Sequence, residues 1–95
     1  MKKQLSNWCN ERGYELREEY RFHEYRKWRT DFYIPHVNII LEYEGIMSEK
    51  SRHTSKMGYA GDIEKYNTLQ EMGFKLLRFT VLNYLQVIEV LERTI

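Results

Sequence analysis

Ninety-five residues, 42% of them apolar and 15% aromatic, suit one folded domain and exclude a disordered chain. A net charge of +1 sets up no overall field toward nucleic acid, and the single cysteine, Cys9, excludes an internal disulfide and fits a reducing compartment. No apolar stretch follows the two N-terminal lysines and no run approaches membrane-spanning length, so a soluble, cytoplasmic protein without a signal peptide is expected.

Residues 3–12 read as a helix with Leu5, Trp8 and Cys9 on one face and Gly13 as its stop. From Tyr14 to Phe22 the residues alternate. Tyr14, Leu16, Glu18, Tyr20 and Phe22 fall on one side and charged residues on the other, as in an antiparallel strand with one wet face. A turn at residues 23–26 leads to two further runs of strand composition, 29–35 and 37–45, separated only by Pro35 and His36 and therefore expected to pair as a hairpin. Residues 45–60, rich in Gly, Ser and basic side chains, read as a long loop. A helix from about Asp62 to Met72 is stopped by Gly73, and a short strand runs from Phe74 to Val81. A last helix begins near Asn83, with Leu85, Ile88, Leu91 and Ile95 directed inward. The order predicts a mixed α/β fold: a four-stranded mixed sheet flanked by helices.

The hairpin carries the chemistry. Asp31 stands at the head of its first strand, and Glu42 and Glu44 leave the same face of the second because strand side chains alternate. Three carboxylates gathered on one patch repel one another unless a positive charge sits among them, and a divalent cation prefers oxygen ligands of this kind. Taken singly, each acid is an ordinary surface residue. Between residues 21 and 60 lie seven Lys or Arg against five acids, three of them these carboxylates, so the surroundings suit a polyanion once the acids are neutralised.

The element order, with Asp31 early in the second strand and Glu42-Tyr43-Glu44 late in the third, resembles the PD-(D/E)XK nuclease superfamily. With Arg52-His53-Thr54, Asp62-Ile63-Glu64-Lys65-Tyr66-Asn67 and Gly73 to Thr80 following in order, the string is most similar to small phage and bacterial nuclease-like proteins, over about residues 19–80. The resemblance implies a restriction-endonuclease-like αβββαβα core and a metal-dependent DNA endonuclease. Asp31, Glu42 and the backbone carbonyl of Tyr43 would hold Mg²⁺ or Mn²⁺, and Glu19 or Glu11 could supply a further ligand. The superfamily's usual Glu-x-Lys is absent, since position 44 is Glu.

Lys65 is a candidate for that lysine's task. It falls near the centre of the stripe marked by Tyr66, Leu69 and Met72, with Asp62 on the same side. The alternative is a structural pairing with Asp62 or Glu44, or a side chain that snorkels to water. The expected catalytic set is thus Asp31, Glu42, Glu44 and Lys65. DNA contact is expected from Arg26, Lys27 and Arg29 beside the acids and from Lys50, Arg52, His53 and Lys56 in the loop, with Tyr25, Trp28 and Tyr59 able to stack on a distorted or single-stranded base. Cutting two strands would require a homodimer. The competing reading is a catalytically inactive nucleic-acid-binding module on the same fold. The spacing of His23, His36 and His53 matches no compact zinc motif.

Overall fold

Leu5, Trp8 and Cys9 bury one side of helix α1 (Lys2–Arg12), which ends where Gly13 adopts φ +70°, a left-handed conformation that costs glycine nothing. The structure, a computed structural model, describes residues 1–44 and 56–95, with the side chains of 56–59 left aside. After α1 come β1 (Arg17–Tyr20), β2 (Thr30–Ile34), β3 (Ile39–Glu44), α2 (Lys56–Glu71), β4 (Lys75–Thr80) and α3 (Val87–Thr94). This is the expected αβββαβα order.

The strands form one sheet in the order β1-β2-β3-β4. The first three run antiparallel, and β4 lies parallel to β3, a pairing that needs the long crossover α2 supplies. Ile39, Ile40 and Leu41 are all fully buried because both faces of the sheet are covered. On one face Phe32, Ile34, Ile39 and Leu41 pack with α1 and with Val87 and Leu91 of α3. On the other, Tyr33 and Ile40 pack with Leu69 of α2 and with Phe22. Among the described residues no helix is long and apolar enough to cross a membrane.

Four details depart from the sequence reading. The β2–β3 connection is four residues long, not two: Pro35–Val37 form a 3₁₀ turn and Asn38 takes φ +54°, a left-handed geometry that asparagine tolerates. Strand β1 is shorter than its alternation suggested, and the alternation breaks at Glu19, whose φ is +50°. Leu16 packs on the α1 side and Glu18 pairs with Lys2 of α1, whereas Tyr20 and Phe22 join the opposite cluster. The left-handed residue turns the chain over, and Tyr20 comes to stack on Tyr33 at 4.3 Å between ring centroids.

Helix α2 begins at Lys56 rather than near Asp62, so residues 56–60 are helical despite Gly58 and Gly61. Glycine lowers helix propensity without forbidding the helix. Its stripe also ends early, since Met72 is exposed. The last helix follows a 3₁₀ turn (Tyr84–Gln86) that shifts its phase. Val87 and Leu91 are buried, with Ile88 packed alongside, while Leu85 and Ile95 are exposed.

Candidate active site

Asp31 lies one step beyond the ladder pair Phe32↔Leu41, which puts it opposite Glu42. Its Oδ2 accepts the backbone N–H of Tyr43 at 2.8 Å, so the side chain fastens the end of β3 to β2. Alternation directs Glu42 and Glu44 to the face of Ile40, the face that α2 crosses. β4 is in register with Glu42 opposite Arg78 and Glu44 opposite Thr80, so Arg78 joins the same face from the far strand. Three strands and a helix therefore meet around the acids.

Glu42 is 5% exposed, and Lys65 Nζ donates to its Oε1 at 2.7 Å. Burial pushes the Glu42 carboxyl above the usual carboxylate range. The Lys65 ammonium opposes that shift, and the nearby charges of Asp31 and Glu44 add to it. Lys65 does reach the acids from the core-facing side of the helix, but its partner is Glu42 rather than Asp62 or Glu44.

Glu44 is held differently. Its Oε1 accepts the Arg78 Nε at 2.9 Å, the Arg78 Nη2, and the Tyr66 hydroxyl at 3.1 Å. The Arg78 guanidinium also lies 4.3 Å from the Tyr66 ring centroid. Burial, together with the Glu42 and Glu44 carboxylates, raises the Tyr66 phenol, which keeps it a neutral donor. Glu44 is thus the anchor for Arg78 and Tyr66.

Among the described residues, the three carboxylates gather with the two cations Lys65 and Arg78 at the C-terminal end of β3. Among the described residues no three His, Cys, Asp or Glu side chains are arranged to enclose a metal ion. Asp31 and Glu42, opposite one another with hard oxygen donors, nonetheless suit Mg²⁺, which keeps several waters and takes one or two protein carboxylates.

Arg26, Lys27 and Arg29 are exposed in the β1–β2 connection, and Arg26 is tied to α2 through Glu64 Oε1 at 2.6 Å. That bond brings the basic connection beside the helix bearing Lys65. Glu19 is exposed on β1 and Glu11 on α1, so no third ligand is selected by burial. Lys50, Arg52 and His53 lie outside the described residues, as do the side chains of Lys56 and Tyr59. Cys9 is buried, and burial raises its thiol, as fits a small core residue.

No family model, curated protein or solved structure matches the chain. The functional reading therefore rests on the residues themselves. Two of these were missed in the sequence: Arg78 and Tyr66. Arg78 is one of two basic residues in a largely apolar strand, and only the β3–β4 register reveals that it faces the acids.

Proposed function

We propose that this protein is a metal-dependent deoxyribonuclease that hydrolyses phosphodiester bonds with Mg²⁺ or Mn²⁺. The observation that carries the reading is Lys65: an ammonium delivered from helix α2 to 2.7 Å from a buried strand carboxylate, where the third strand itself offers no lysine. Asp31 and Glu42 are the ligands, with the Tyr43 carbonyl beside them. When bound, the ion supplies Lewis-acid polarisation of the scissile phosphate and a more acidic water.

The chain's own residues do the rest. Lys65 Nζ, held beside Glu42, would orient the attacking water or meet charge growing on the phosphate oxygens. Arg78, about half exposed and braced by Glu44 and Tyr66, offers the guanidinium edge not used on Glu44 to the same phosphate. Glu44 acts through Arg78 as a positioning residue. Lys27 and Arg29 bind the flanking backbone.

A second reading is supported by one feature: each of the three carboxylates already accepts a hydrogen bond from the protein. A site so satisfied would serve an inactive DNA-binding module as a structural knot. Labelled duplex, flap, junction and single-stranded DNA incubated with and without Mg²⁺ or Mn²⁺ tests the nuclease, and calorimetric titration with Mn²⁺ separates it from the binder. Absence of both cleavage and Mn²⁺ uptake in the folded protein rules the nuclease out.

A further inference from the structure

The β1–β2 connection carries two aromatic candidates for stacking on a base, and the structure uses them differently. Trp28 is committed to the fold. It is half-buried, stacked on Phe22 (centroids 5.8 Å apart, planes at 13°), with the Arg26 guanidinium 4.0 Å from its ring centroid. Tyr25 is 82% exposed, and among the described residues its ring has only a distant edge contact with His23, 6.2 Å between centroids.

The turn that presents Tyr25 is braced. His23 Nδ1 accepts the backbone N–H of Tyr25 at 3.1 Å and that of Arg26 at 3.0 Å, so the second ring nitrogen carries the proton of the neutral imidazole. The His23 ring lies edge-on to Trp28 at 5.6 Å, which fixes it to the buried cluster. Arg26, locked between Trp28 and Glu64, ties the same turn to the helix that carries Lys65. The ring therefore stands out from a held backbone.

Along the same connection Arg21, Lys27 and Arg29 are exposed beside the acid Glu24, and exposed Glu64 of α2 is paired with Arg26. A bare aromatic face amid cations complements a polyanion that itself carries flat rings. Within a duplex those rings are already stacked on their neighbours, so only an unpaired base has a face to offer. We infer that Tyr25 is a stacking platform for an unpaired base, and that the substrate is DNA with unpaired nucleotides next to the scissile phosphate. This rests on the DNA reading above and narrows it to a substrate class.

The test compares wild type, Tyr25→Ala, Tyr25→Phe and His23→Ala for binding a blunt duplex and the same duplex with a single-stranded flap, in Ca²⁺, by fluorescence anisotropy. A 2-aminopurine in the flap reports stacking directly. Tyr25→Ala weakens flap binding on the order of tenfold and abolishes the 2-aminopurine quench, with duplex affinity unchanged. Tyr25→Phe keeps both, and His23→Ala, which frees the turn, loses part of each. Equal effects on the two DNAs, or none from Tyr25→Ala, overturn the inference, as does a wild type that prefers the duplex. Hydrolysis of bis(p-nitrophenyl) phosphate, which has no base, separates the two claims. A wild type inert toward it in Mn²⁺ counts against the nuclease while the binding comparison still decides Tyr25; hydrolysis intact without flap preference removes Tyr25 alone.

Discussion

Lys65 Nζ and Glu42 Oε1 meet at 2.7 Å between helix α2 and strand β3, and both side chains are largely shut off from water. A buried ion pair gains little over an apolar pair, but breaking it strands a charge. Lys65→Ala should therefore destabilise the fold by about 3–5 kcal/mol in urea unfolding. The double variant Glu42→Gln, Lys65→Met should recover most of that loss. A Lys65→Ala protein as stable as wild type would mean that the pair is not buried in solution.

The raised Glu42 carboxyl makes a signed prediction for pH. Its folded state holds the proton above the ordinary value of 4.5, so between that value and the raised one the native protein binds more protons than the unfolded chain. The contribution of Glu42 to stability therefore falls as pH rises through this window and is most favourable below it. Stability measured against pH should lose this descending component in Glu42→Gln. An unchanged profile would contradict burial as the source of the shift.

Glu19 sits at φ +50°, where its Cβ crowds the backbone and a glycine would not. A left-handed conformation costs an ordinary residue roughly 1–2 kcal/mol, part of which glycine returns as unfolded-chain entropy. Glu19→Gly should stabilise the protein by about 0.5–1 kcal/mol in chemical denaturation. A loss of stability would place the benefit of Glu19 in its side chain instead.

Arg78 should matter to catalysis more than to folding, because its side chain is about half exposed. Arg78→Ala lowers kcat on the order of tenfold or more, as loss of one charged phosphate contact does, and Arg78→Lys restores little because an ammonium cannot serve Glu44 and phosphate with one planar fork. Guanidinium ion added to Arg78→Ala should return part of the rate. A change confined to KM would make Arg78 a binding residue only.

How much of this was legible follows from which interactions are local. The element order and the Asp31–Glu42 pairing were readable because strand alternation and a short connection fix which residues face each other. The turning-over at Glu19 was not, since nothing in Glu18-Glu19-Tyr20 announces a positive φ. The pull of Tyr20 toward Tyr33 is tertiary. The phase of α3 was misjudged because a 3₁₀ turn inserted before Val87 rotates everything after it. Arg78 stayed hidden because parallel register across a helical crossover is set by packing of α2, not by any pattern within β4. Lys65 was visible through helical periodicity, though its partner was not.

Asp31 gives the most direct test. Asp31→Asn retains an oxygen to accept the Tyr43 N–H but lacks the charge a divalent ion requires, so the fold should persist while Mg²⁺-dependent cleavage falls on the order of a thousandfold. The measurement is the rate of cleavage of labelled flap DNA in Mg²⁺ by wild type and Asp31→Asn, with circular dichroism and unfolding curves run alongside. Robust cleavage by wild type and its loss in a folded variant is the predicted result; equal rates in the two proteins, or no cleavage by wild type, would contradict it.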